Sequence, residues 1–156
     1  MGRDKHVSAL DRRSFVASGT AMVTTTVLFG SAVRAGVPEV EAAIKAIVGD
    51  GTIEEGRISL DLPEIAENGN TVPLTIEVES PMTEDDYVKA VYVFAEGNPL
   101  PEVATMRFTP RSGEAVASTR IRLAKTQKVR AVAEMSDGSI FSASREVKVT
   151  IGGCGG

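Results

Sequence analysis

The residue best placed to do chemistry is Cys154, the single cysteine of a 156-residue chain, set in the run Gly152-Gly153-Cys154-Gly155-Gly156. Glycine has no Cβ, so these four neighbours add almost no width around the thiol and admit nearly any backbone path. The cysteine stands roughly 10 Å beyond the last expected strand residue, at about 3.3–3.6 Å per extended residue. A thiol on such a tether can enter a narrow channel in another protein, react at its floor and withdraw. No aromatic neighbour, adjacent lysine or helix start favours its thiolate. The terminal carboxylate two residues on disfavours it. Near a reference pKa of about 8.5, only a few per cent of such a thiol is ionised at neutral pH. The pattern describes a carrier arm, a thiol presented here and activated elsewhere.

The rest of the composition removes most other chemistries. The chain has one histidine (His6) and no tryptophan. His6 lies in the N-terminal segment expected to be removed, and a mature chain with no histidine and one cysteine cannot build a Ser-His-Asp triad, a Cys-His pair, a four-ligand Cys/His zinc site or a dithiol. The expectation is a non-enzyme with no metal and no cofactor of its own. A net charge of −4 argues against nucleic acid as a partner. Glu54-Glu55 and Glu84-Asp85-Asp86 could be metal ligands or docking charges, but solvated loops are the commoner outcome. Met82, Met106 and Met135, without histidine, read as core or surface filling. Tyr87, Tyr92, Phe94, Phe108 and Phe141 read as core, one or two of them as candidate interface anchors. Two rival functions stand beside the carrier. One is an exported immunoglobulin-like binding or adhesion module whose terminal cysteine forms an intermolecular disulfide. The other is a thiol oxidoreductase, against which the lack of a resolving cysteine weighs heavily.

The elements that position Cys154 begin after an address segment. Residues 11–17 read Asp-Arg-Arg-Ser-Phe-Val-Ala, and no charged residue follows from Phe15 to Val33. The segment exits through Val33-Arg34-Ala35. A basic start, uncharged middle and small-residue exit make residues 1–35 a signal peptide, cleaved after Ala35. The twin arginine, Arg12-Arg13, with Phe15 and a weakly hydrophobic middle, resembles a Tat signal, so the expected location is the periplasm. Thr24, Thr25, Thr26 and two glycines make the run a poor membrane anchor, and no membrane association is expected after cleavage. Cleavage leaves 121 residues with 12 basic and 19 acidic side chains, a charge of −7.

Residues 36–50 predict a helix. Pro38 suits its first turn, Val40, Ile44, Ile47 and Val48 share one face, and Gly49 stops it. From residue 51 the period becomes two. Strands are predicted near 57–61, 72–79, 88–95, 104–108, 115–123, 128–134 and 140–151, the last as two short strands or one bent one. Glu67-Asn68-Gly69-Asn70, Gly97-Asn98-Pro99 and Ser136-Asp137-Gly138-Ser139 are breakers, and Asp137-Gly138 fits a tight hairpin. The fold class is therefore all-β: an immunoglobulin-like β-sandwich of about seven strands over 51–151, with one N-terminal helix and a flexible glycine-rich C-terminal arm at 152–156. A β-barrel is the alternative.

The Gly-Gly-Cys-Gly-Gly ending, behind a Tat-type signal and a sandwich, closely resembles SoxY, the carrier subunit of the bacterial Sox sulfur-oxidation system. The segments 63–73 and 80–83, with Asp86-Tyr87-Val88-Lys89, Asn98-Pro99-Leu100-Pro101 and Phe108-Thr109-Pro110, extend the resemblance over nearly the whole mature chain. The resemblance implies a heterodimer with SoxZ, exported as a folded pair. It implies that Cys154 receives thiosulfate by oxidative conjugation at the SoxAX c-type cytochrome, giving a cysteine S-thiosulfonate. SoxB, a manganese hydrolase, would release sulfate, and sulfur dehydrogenase SoxCD, where present, would oxidise the remaining sulfane sulfur. Only Cys154 would carry covalent chemistry, with Gly152, Gly153, Gly155 and Gly156 as the swinging arm.

Overall fold

The structure, a computed structural model, describes residues 36–49 and 51–153. The expected signal residues Arg12, Arg13 and Phe15 and the expected cleavage point Ala35 lie outside the described residues, as do Cys154, Gly155 and Gly156.

Helix α1 spans Val37–Val48, with Pro38 in its first turn, Glu39 near its positive end and Gly49 closing it at φ 66°. Nine strands follow: β1 (Ile53–Glu55), β2 (Ile58–Asp61), β3 (Ile65–Asn68), β4 (Val72–Val78), β5 (Val88–Ala95), β6 (Glu102–Arg107), β7 (Ala115–Ile121), β8 (Gln127–Met135) and β9 (Ile140–Ile151). They form two sheets and not a barrel. The larger runs β1-β9-β8-β5-β6, with β3 also paired to β9, and the smaller runs β2-β4-β7. The expected all-β sandwich with an N-terminal helix is what the chain forms.

The pattern of side chains explains the layers. In β4, Val72, Leu74, Ile76 and Val78 are buried and alternate with more exposed residues, so this sheet turns one face to the core. Opposite them stand Val91, Val93 and Ala95 of β5, Val129, Ala131, Ala133 and Met135 of β8, and Val147 of β9. The other face of the larger sheet is covered by α1. Val40 and Ile44 pack there on Phe94, Val132 and Ile140. Burying those two helix side chains stabilises the contact by about 1.5–3 kcal/mol each. An ion pair between Arg130 on β8 and Glu41 adds a polar tie at the rim. With both faces of β5 covered, Lys89 alone of its eight residues is exposed.

Two departures from the sequence reading matter below. β1 and β3 were not expected. They are short, largely exposed and parallel to β9, a pairing that no local pattern announces. Among the described residues the count is thus nine and not about seven. The segment 140–151 is one continuous twelve-residue strand. Its antiparallel partner β8 reaches it through the Asp137-Gly138 turn. There Asp137 Oδ1 accepts from Ser139 N–H at 2.8 Å and from the Ser139 hydroxyl at 2.6 Å, and Gly138 has φ 85°.

Candidate functional site

β9 is the element that leads to Cys154. Its last residues run parallel to β3, with Lys148, Val149 and Ile151 in register with Ile65, Ala66 and Asn68. Two connections converge on the same point, the turn after β3 and the loop at 122–126 after β7. Gly69 N–H donates to Ile151 O at 2.7 Å, Leu123 N–H to Gly69 O at 2.8 Å, and Gly153 N–H to Leu123 O at 2.9 Å. Three distant stretches of chain are thereby tied backbone to backbone. Asn68 shapes the turn, its Oδ1 accepting from the Asn70 backbone N–H at 2.9 Å and from the Asn70 side-chain amide at 3.2 Å.

The junction closes so tightly that it has room only for glycine. A Cβ on Gly69 would lie 2.2 Å from Leu123 O and 2.7 Å from Gly153 N. One on Gly152 would lie 2.1 Å from Ala124 O, and one on Gly153 2.7 Å from Gly69 O. Every one of these obstacles is backbone, which has no rotamer to move aside. Gly69 and Gly153 are buried and Gly152 is exposed. Of the four glycines assigned to the arm, Gly152 and Gly153 are therefore seated against the sandwich. The sequence reading assigned them to freedom of movement.

The 122–126 loop is fixed in turn from inside the protein. Asn98 has no solvent exposure and Gln127 only 7%. Asn98 Nδ2 donates to Arg122 O at 2.8 Å, and its Oδ1 accepts from Ala124 N–H and from Gln127 Nε2, both at 2.9 Å. Gln127 Nε2 also donates to Lys125 O at 3.1 Å, while its Oε1 accepts from Gly97 N–H at 2.6 Å. A buried amide pair this fully engaged holds its loop firmly, because each lost partner would strand a desolvated polar group. On the outside, Thr126 Oγ1 accepts from Val149 N–H at 2.9 Å, joining loop and strand.

The other candidates fall elsewhere. Glu54 and Glu55 lie exposed on β1, and Glu84, Asp85 and Asp86 occupy a turn in which Asp86 N–H donates to Thr83 Oγ1. Among the described residues no three Asp, Glu, His or Cys side chains gather as a metal site. Met82 and Met135 are in the core and Met106 is half-buried against it. Phe94 and Phe141 are buried, while Tyr87, Tyr92 and Phe108 are half-buried. Among the described residues two titrating groups are perturbed, both near the opposite end of β5 and β8. Lys89 is raised by its hydrogen bond to Glu134 and by that residue's charge, and Asp137 is lowered by the Ser139 hydroxyl and backbone N–H. Sequence reasoning missed Gly69, Asn98 and Gln127 as parts of the site. The first two stood inside segments read as breakers and as parts of the family resemblance, with no role at the arm, and Gln127 lay just outside an expected strand.

The family model described as "Sulfur oxidation protein SoxY" matches residues 44–154, a span that includes Cys154. Among solved structures, the sulfur carrier protein SoxY from Chlorobium limicola f thiosulfatophilum is similar at 36% identity and TM-score 0.62, over 73% of this chain and 98% of that one. A superoxide reductase (neelaredoxin) from Ignicoccus hospitalis is similar at 18% identity and TM-score 0.53, over 60% of this chain and 80% of that one. A superoxide reductase from Nanoarchaeum equitans is similar at 16% identity and TM-score 0.52, over 62% of this chain and all of that one. At those identities the two reductases share the fold alone. Among curated proteins no sequence matches the chain. The family match over most of the sandwich, together with the Chlorobium carrier, leads to one assignment: the chain belongs to the SoxY family of sulfur oxidation proteins.

Proposed function

We propose that this SoxY protein is a sulfur carrier of periplasmic thiosulfate oxidation that holds its cargo covalently on Cys154. The observation that carries the reading is the placement of that residue. The chain's single cysteine ends the stretch that matches the family, directly after a glycine seated at the end of β9.

The chemistry requires only the thiol from this chain. Loading joins Cys154 Sγ to the sulfane sulfur of thiosulfate. The thiol loses its proton, and two electrons leave to a c-type cytochrome, SoxAX, giving a cysteine S-thiosulfonate. Water then attacks the terminal sulfone on the manganese hydrolase SoxB. The bond between sulfane and sulfone sulfur breaks, sulfate and two protons depart, and a persulfide stays on Cys154. Where SoxCD is present, it oxidises that sulfane sulfur before a second hydrolysis frees the thiol. The protein itself supplies no catalytic group, metal or cofactor. It travels through the Tat pathway as a folded heterodimer with SoxZ, binding neither nucleic acid nor membrane once residues 1–35 are removed.

Covalent carriage solves a containment problem. Partly oxidised sulfur species are small and diffusible, and tethering keeps each one at high effective concentration for the next enzyme. The test is mass spectrometry of the C-terminal peptide from cells oxidising thiosulfate, before and after mild reductant. Thiosulfonate or sulfane sulfur on Cys154 is the expected result. An unmodified thiol, or only a homodimer disulfide, overturns the carrier in favour of a crosslinked binding module. Cys154→Ser is expected to abolish thiosulfate-dependent oxidation with fold and heterodimer intact.

A further inference from the structure

Four glycines beside a reactive cysteine invite a simple account in which all of them are slack. The geometry at the end of β9 divides them. We propose that Gly152 and Gly153 are the fixed root of the arm and no part of its moving length. Gly69 and residues 122–125 form the socket, and the buried Asn98–Gln127 pair acts as a positioning pair for that socket.

Three observations converge on this. The Gly153 amide is already committed to Leu123 O at 2.9 Å, in continuation of the bond from Gly69 N–H to Ile151 O. The closest obstacles to a side chain at 69, 152 or 153 are backbone atoms, so glycine is needed there for contact. The loop that accepts the Gly153 amide is held from inside by the side-chain bonds of Asn98 and Gln127. A freely swinging tether needs none of these arrangements.

The consequence for the proposed carrier, on which this part rests, concerns reach. Successive Cα atoms across a trans peptide are about 3.8 Å apart. If Gly153 is seated, the Cys154 Cα cannot lie further than that from a fixed point on the sandwich, whereas a tether starting at Ile151 would give it roughly 10 Å. An enzyme that reacts with the thiol must therefore accept the end of the sandwich into its mouth, and a thin thread alone does not suffice. Residues exposed around the root, Asn70, Lys125, Thr126 and Ile151, then become the ones an enzyme meets first.

The test is amide hydrogen exchange on the unloaded protein, which does not depend on whether sulfur is ever carried. In the wild type the Gly153 amide is expected to be protected by at least about tenfold over an open chain. Gly152→Ala is expected to erase that protection, while amides of Val91, Val93 and Ala131 in the core strands stay protected. A variant with one glycine inserted between Gly153 and Cys154 leaves the root untouched and is expected to keep it. A nitroxide on Cys154 gives a second readout, with a narrower spectrum expected in Gly152→Ala than in wild type. Open-chain exchange at Gly153 in the wild type overturns the proposal, whatever the variants do. So does retained protection in Gly152→Ala. Failure of Cys154 to take up thiosulfate with Gly153 protected would sink the carrier and leave the root standing.

Discussion

Replacing Asn98 by alanine is the sharpest probe of what holds the end of this sandwich together. The substitution removes three side-chain hydrogen bonds, to Arg122 O, from Ala124 N–H and from Gln127 Nε2, at a site with no solvent exposure. Gln127 Nε2 keeps its bond to Lys125 O, so its amide is only partly stranded. At about 1 kcal/mol net for each bond the loss is about 3 kcal/mol, and more where water cannot reach the groups left behind. Against a typical domain stability of about 5–15 kcal/mol this is a large fraction. Urea unfolding is the assay. With a slope of about 2 kcal/mol per molar, the midpoint should fall by about 1.5 M at unchanged slope. Asn98→Asp keeps the shape but turns a carboxylate oxygen toward the Arg122 carbonyl, and should cost at least as much. Both variants unfolding within about 0.5 kcal/mol of wild type would refute the reasoning, because a network that can be dismantled so cheaply fixes nothing.

Other outcomes follow from features of the same fold. Ile44→Ala, at a helix side chain 2% exposed over Phe94 and Val132, should cost about 2–4 kcal/mol in urea unfolding, or else undock α1 alone with a loss of helical circular dichroism. Asp137 has its folded pKa depressed below the usual 3.8, first by the Ser139 hydroxyl, so its contribution is present above that value and lost as pH falls through the folded pKa. Thermal unfolding between about pH 5 and pH 2 should therefore depend less steeply on pH in Ser139→Ala. Lys89 has its folded pKa raised above 10.5 by Glu134, so its contribution is complete below that value and fades as pH rises through the folded pKa. Glu134→Gln should reduce that alkaline loss, as read by thermal melts at pH values above 10.5.

How far the sequence carried depends on whether the determining signal is local. β5 was legible to the residue at 88–95, because an apolar run with period-two packing on both faces admits little else. The helix was equally plain from the spacing of Val40 and Ile44, Pro38 at its start and Gly49 at its end. Ile53-Glu54-Glu55 gave no sign of being a strand, since all three residues are exposed and the partner, Ile140–Ser142, lies far along the chain. β3 was hidden for a similar reason, with Asn68 and Gly69 announcing a turn and masking the pairing before it. Cys154 could be singled out from its flanking glycines. What Gly152 and Gly153 do could not be, because the obstacle to a side chain at Gly152 is the carbonyl of Ala124, and at Gly153 that of Gly69. Asn98 was read as a loop residue from its neighbours Gly97 and Pro99, although its burial is decided by Arg122, Ala124 and Gln127.

The position of β9 in its sheet has a bearing on biosynthesis. It is the last strand among the described residues, yet it stands between β8 and β1 and also pairs with β3. The sheet cannot close until β9 has left the ribosome, so its nonlocal pairings, which form slowly, wait until then. A chain that breaks off within β9 loses a central strand together with the cysteine beyond it. A sheet closed on all of β9 therefore belongs to a chain synthesised at least as far as Ile151.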